Sequence, residues 1–181
     1  MNILLHICCA PCAIYPVDQL RADGHTIAGL FYNPNIHPYS EYLKRQSETA
    51  RFAKEGALHV INCGYEIEDY FQHIVYNEAL RNRCPVCWWI RMAKTAKSAK
   101  EGGFDAFTTT LLGSPYQDHD VLKRICEDTA QRIGVGFYYH DLRTGFKKAH
   151  ETARAKGMYC QNYCGCIFSE KERIEKKSKG T

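Results

Sequence analysis

No apolar run in the 181-residue sequence approaches the roughly 20 residues of a membrane-spanning helix, which excludes one within it. Its opening residues, MNILLHICC, carry no basic n-region and no small-residue cleavage site, so no secretory signal is expected. Internal repeats, low-complexity tracts and linkers are also missing, which leaves a single domain as the expectation. A chain of this size buries about 70% of its unfolded surface and needs no covalent staples to hold a core. The 45% hydrophobic and 24% charged content is ordinary for a soluble globular protein. The expected location is the cytoplasm.

What is present in excess is cysteine: ten residues. In a reducing compartment such clusters point to metal or catalysis rather than to disulfides. The net charge of +4 is uneven, with ten Lys/Arg against five Asp/Glu in residues 141–181. The tail KERIEKKSKGT reads either as a solvated helix or as a cationic surface for nucleic-acid phosphates.

Apolar runs at Ile3–Ile7, His25–Tyr32, Leu58–Asn62, Phe104–Thr110 and Phe137–His140 read as strands. Helical patterns occupy Pro11–Ala22, Ser40–Glu55 (with Ser40 as N-cap), Ile67–Tyr76, Cys87–Lys100, Leu122–Ile133 and Lys147–Lys156, before a terminal helix. LRNRCPVC reads as the loop before the fourth helix. This alternation predicts an α/β fold: a mostly parallel, doubly wound sheet with a basic, helical, cysteine-bearing extension over 141–181. Ligands of such sheets bind at the carboxyl ends of the strands. CCAPC follows the first strand, NPNIHPYS the second and LLGSPYQDHD the fourth, while RCPVC opens the helix leading to the fourth. All are therefore expected on one edge.

Seven cysteines form three tight groups: Cys8, Cys9 and Cys12; Cys84 and Cys87; Cys164 and Cys166. Each lies near a predicted helix start, where exposed N–H groups favour the thiolate that binds metal. The groups stand 72 and 77 residues apart (Cys12 to Cys84, Cys87 to Cys164), unlike the two close pairs of a structural zinc site. Seven sulfurs exceed one tetrahedral centre. They suit an iron–sulfur cluster with a second centre, either a metal or a redox thiol pair. Zinc remains an alternative, as does a thiol–disulfide enzyme built on CPVC, which leaves the other five unexplained. Cys63 and Cys126 read as core or surface thiols, and Cys160 as a bystander.

The segments LLHICCAPC, FYNPNIHPYSEYLKR, RCPVCWWIRM, TTLLGSPYQDHD and YCQNYCGCIFS resemble the cobalamin-independent epoxyqueuosine reductases, the QueH family, over Leu4 to Ser169. The resemblance implies reduction of epoxyqueuosine to queuosine at the wobble position of tRNA, with a [4Fe–4S] cluster and an adjacent mononuclear iron. Two of Cys8, Cys9 and Cys12 are expected to help hold that iron. Cys160 stands where the resemblance leads one to expect a basic residue, which argues against a ligand role. The fold is also similar to that of the ATP-dependent PP-loop (HUP-like) tRNA-modifying enzymes. CCAPC replaces their SGGxDS phosphate turn, so ATP is not expected, which counts against a cluster-dependent tRNA thiolase. Cluster electrons arrive singly, so a ferredoxin- or flavodoxin-type donor is the expected partner. An iron with an open position would act as Lewis acid on the epoxide oxygen.

Asn33, Asn35, His37 and Tyr39 suit the hydroxyls and base edges of an extruded nucleoside, or else form a rigid proline-rich turn. Ser114 and Gln117 are further substrate contacts. His37, Tyr116, His119 and Asp118 are the candidate proton donors, although Asp118 or Asp120 equally suits a helix cap. Arg91 and Arg143 read as contacts to tRNA phosphates or as ordinary surface charges. Glu41 and Arg45 read as a surface ion pair. His6 reads as a core histidine. Of Trp88 and Trp89, one is expected in the core and the other is a candidate for base stacking.

Overall fold

The computed structural model describes residues 1–178. Strands β1 (Asn2–His6), β2 (Thr26–Phe31), β3 (Val60–Asn62), β4 (Ala106–Thr109) and β5 (Gly136–Phe137) form one sheet in the order β3-β2-β1-β4-β5. Every pairing is parallel, with Ile3 of β1 set between Ile27 and Ala106. The chain starts at the centre, winds outward through β2 and β3, then returns to the other side for β4 and β5. That reversal opens a crevice beyond the ends of β1 and β4.

Seven α-helices complete the described chain: α1 (Ala10–Ala22), α2 (Tyr39–Glu55), α3 (Ile67–Ile74), α4 (Leu80–Glu101), α5 (His119–Ile133), α6 (Phe146–Ala155) and α7 (Ile167–Ser178). The middle of β1, Ile3–Leu5, is apolar because helices cover both of its faces. Leu4 joins a core with Met92 and Ala96 of α4 and with Leu122 and Cys126 of α5. Ile3, Leu5 and Ile7 point the other way, onto Ala13, Val17 and Leu20 of α1 and Ala53 of α2. α6 packs through Ala149 and Ala153 against Ala10 and Ile14 of α1. Among the described residues no helix is long and apolar enough to cross a membrane.

Three local readings are corrected. LRNRCPVC is helical: α4 starts at Leu80 and runs through Pro85. Proline costs one helix hydrogen bond. Here Arg83, a buried residue, ties the first turn down by donating to the Glu78 carbonyl and to Glu172 of α7. α2 starts at Tyr39, with Pro38 at the cap position and no side-chain cap, so Ser40 lies inside the first turn. Two 3-10 turns, Thr110–Gly113 and Leu142–Gly145, are capped by the side chains of Thr109 and Asp141; the first takes Thr110 from the end of the expected fourth strand and extends into the expected loop. Of the basic tail, Lys179, Gly180 and Thr181 lie outside the described residues.

Candidate metal centre

Cys8 and Cys9 leave the end of β1 directly above the crevice. Cys9 is the N-cap of α1, and its sulfur accepts from the Cys12 N–H at 3.2 Å. The Cys9 and Cys12 sulfurs are joined in a disulfide, the oxidised form of the pair. Together with Cys8 Sγ, these donor atoms all lie within 4.8 Å of one another. Thr110, just past β4, accepts from the Cys8 N–H at 3.1 Å and donates to Cys8 Sγ at 3.2 Å. Gln161 Nε2 lies 3.0 Å from Cys9 Sγ and 3.6 Å from Cys12 Sγ.

The other two groups converge on the same place. Cys87 and Cys166 are buried in the main core, with Cys8 and Cys84 packed against it. Cys164 lies near enough to act electrostatically on Cys8, Cys84 and Cys87. The segment carrying Cys164 and Cys166 is held by a latch from α2. Arg45, 1% exposed, donates to Glu41 (2.8 Å), to the Cys164 carbonyl (2.9 Å) and to the Tyr163 carbonyl (3.1 Å). Tyr159 donates to the second oxygen of Glu41, and Tyr163 to the His37 carbonyl. Glu41 and Arg45 are thus a buried clamp rather than a surface pair, because the cysteine segment lies over them. Gly165 has φ +149°, and a Cβ there would stand 3.0 Å from Asn35 Nδ2, so glycine is required between the two cysteines.

Burial raises the cost of ionising these thiols. It pushes Cys8 up, Cys84 to about 11 and Cys87 to about 12. The sequence-based expectation is that helix starts favour thiolate. At Cys84 and Cys87, within α4, desolvation outweighs it. The Thr110 hydroxyl opposes burial at Cys8, and the guanidinium of Arg91 opposes it at Cys8, Cys84 and Cys87. Arg91 is 2% exposed, with Nε donating to the Cys87 carbonyl at 3.2 Å. Seven soft donors, a buried cation and N–H and O–H groups aimed at sulfur fit a thiolate-held metal or cluster. Once reduced, Cys9 and Cys12 are available to it.

A cavity of about 890 Å³ opens beside the sulfurs, lined in part by Cys8, Cys12, Cys164, Arg91, Thr110 and Gln161. Ser114, Tyr116 and Gln117 also line it, with Tyr116 81% exposed at the rim. Gln117 accepts from the indole of buried Trp88 at 3.1 Å, whereas Trp89 is exposed beside His73. Other predicted site residues lie off the cavity. Asn33 donates to the Ile7 carbonyl, and Asn35 is buried against Gly165. His37 is buried and stacked on Phe71; Nε2 donates to the Pro34 carbonyl and Nδ1 accepts from the Ile167 N–H. Tyr39 is exposed and stacks on Tyr42. Asp118 caps α5, His119 Nε2 contacts the Tyr139 hydroxyl, and Arg143 pairs with Asp141. Arg91, read from the sequence as reaching phosphates, is instead enclosed beside the cysteines. His6 is a neutral core histidine, held by Thr109 and the Tyr32 carbonyl and pushed down to about 3 by burial.

Sequence reading did not single out Thr110 or Gln161. The only signal for Gln161 was its place inside YCQNYCGC. The thiol–disulfide alternative was placed at Cys84 and Cys87. Those two are free thiols, and among the described residues the disulfide is Cys9–Cys12.

A family model described as "Epoxyqueuosine reductase QueH" matches residues 3–172. The chain is 33% identical to the epoxyqueuosine reductase QueH of Dehalococcoides mccartyi, covering 97% of this chain and 96% of that protein. It is 33% identical to that of Thermotoga maritima, covering 97% and 93%. Among solved structures, one titled as a predicted subunit of a tRNA methyltransferase from Methanocaldococcus jannaschii matches 84% of this chain and 76% of that one, at 12% identity and TM-score 0.48. The matched span contains all seven grouped cysteines, and the chain belongs to the QueH family of epoxyqueuosine reductases.

Proposed function

We propose that this protein reduces the epoxide of epoxyqueuosine in tRNA to the cyclopentene of queuosine, with Cys8, Cys9, Cys12, Cys84, Cys87, Cys164 and Cys166 holding a [4Fe–4S] cluster and an adjacent iron. The observation that carries this reading is the approach of three distant cysteine groups to one another, beside a cavity that Cys8, Cys12 and Cys164 line, in a chain of this family. When bound, the metal group supplies electrons one at a time and a Lewis-acidic position. Overall, two electrons and two protons are consumed, and the epoxide oxygen leaves as water.

The chain's own residues supply the rest. The cavity falls within the ~300–1,000 Å³ typical of small-ligand sites, which suits one nucleoside turned out of its stack. Its rim carries Lys147, Arg154, Arg173 and Lys176, suited to the phosphates of the flanking RNA. Tyr116 and Phe146 meet edge to face there, offering a stacking surface. Buried Arg91 offsets the negative charge of the thiolates. The described part of the extension, residues 142–177, supplies much of the cavity wall in this reading and is not a separate module. The reducing cytoplasm and a ferredoxin- or flavodoxin-type donor complete it.

The test is anaerobic incubation of reconstituted protein with epoxyqueuosine-containing tRNA and a low-potential reductant, followed by nucleoside mass spectrometry. Conversion to queuosine, with loss of one oxygen, is expected. Iron-loaded protein that leaves the epoxide intact overturns the reading. The Cys9–Cys12 disulfide favours a second reading, a thiol–disulfide enzyme. That reading predicts activity that survives removal of metal and is lost on replacing Cys9 or Cys12.

A further inference from the structure

Buried polar atoms are almost always hydrogen-bonded, and the exceptions in a native site call for a partner. Several buried side-chain atoms lack a partner among the described residues, but only two belong to residues lining the cavity: Arg91 Nη2 and Gln161 Oε1. One is a donor and the other an acceptor. Both side chains are fixed from their other ends. Arg91 Nε donates to the Cys87 carbonyl one helical turn back, and Gln161 Nε2 reaches the sulfurs of Cys9 and Cys12. Each is thus fixed beside a cysteine group, in a residue that also lines the cavity, with one buried polar atom unspent.

Resting on the functional reading above, we propose that Arg91 and Gln161 are the polar pair that receives the reacting ring of the nucleoside. Arg91 Nη2 donates to the epoxide oxygen, and Gln161 Oε1 accepts from a ring hydroxyl. Two C–O bonds of the epoxide break and a carbon–carbon π bond forms. Two electrons come from one-electron donors of the ferredoxin or flavodoxin class, and two protons convert the oxygen to water. Arg91 keeps its proton throughout, since a guanidinium does not deprotonate in a protein. It acts as a fixed donor whose bond strengthens as charge builds on the departing oxygen, the behaviour of an oxyanion-hole group. Arg91 is thus a catalytic residue and not a phosphate contact. Gln161 sets the ring's orientation against the sulfurs.

A purely structural role for Arg91, neutralising thiolates, makes a different forecast. Arg91→Lys keeps the charge and loses the planar fork. Here it is expected to retain wild-type iron and sulfide content and visible spectrum, while kcat on epoxyqueuosine tRNA falls about 10²–10³-fold. Gln161→Leu is expected to raise KM about tenfold, with unchanged affinity for unmodified tRNA, which lacks the ring. Wild-type turnover by Arg91→Lys, or activity lost only in proportion to iron in both variants, overturns the inference while the functional reading stands. Iron-loaded wild-type protein that fails to reduce the substrate overturns both.

Discussion

Cys8, Cys9 and Cys12 are held by regular structure: the end of β1 aims them, the first turn of α1 spaces them, and a helix N–H binds one sulfur. Cys164 and Cys166 stand in a segment with neither strand nor helix until Ile167. Their position comes from Arg45, Glu41, Tyr159 and Gly165. Both groups reach the same cavity, but the first is fixed by backbone ladders and the second by a few buried polar contacts. The second should therefore fail first. A latch of this kind concentrates its stability in single side chains, whereas a sheet spreads it over many.

Arg45→Met tests that difference most severely. It leaves Glu41 buried beside Tyr159 without its cation, and breaking a buried pair from one side costs about 3–5 kcal/mol. A lower urea midpoint and loss of bound iron are expected, read by denaturation and metal analysis. Gly165→Ala forces a side chain into a conformation only glycine adopts freely, at about 1–3 kcal/mol. It should reduce iron retention while the sheet, followed by far-ultraviolet circular dichroism, stays formed. On the other side, Thr110→Val removes one acceptor for the Cys8 N–H and one donor to its sulfur, at about 1–2 kcal/mol. Iron affinity should weaken about 10–100-fold, as with other outer ligands of a metal centre, measured by competition with a chelator.

The smallest effect belongs to Asp141, which caps the 3-10 turn before α6. The side chain of Arg143 holds its carboxyl down at about 2. A depressed carboxylate adds stability above its unfolded value of 3.8, which is lost as pH falls through about 2. Both side chains are more than a third exposed, so Asp141→Asn should cost a few tenths of a kcal/mol at neutral pH. The cost should vanish near pH 2, read from paired melting curves.

Much of the fold was legible in the sequence, because short apolar runs alternate with helical segments that glycine stops, and the parallel sheet follows from that order. The cysteine groups were legible as unusual loops following strands, and the rule for strand ends put them on one edge. Two things were not. Glu41 and Arg45 have the i, i+4 spacing of any exposed helical pair, and only the fold of residues 159–166 over them makes them a buried clamp. Arg91 is a lone charge in the apolar stretch WWIRMA, and a lone arginine reads by default as surface. Both depend on contacts between segments more than 70 residues apart, which local pattern does not encode. The helical LRNRCPVC is a third case, since Pro85 reads locally as a break while Arg83 anchors the turn through distant Glu172.

The central claim is that three cysteine groups build one iron–sulfur centre. Its most direct test is iron and acid-labile sulfide per chain, measured after anaerobic reconstitution of the wild type and of single Cys→Ala variants. Replacing Cys8, Cys87 or Cys166 should each deplete iron and bleach the broad absorption near 400 nm, whereas replacing Cys126 or Cys160 should not. A colourless wild type holding one zinc and no sulfide, or iron that depends on one group alone, would contradict the account.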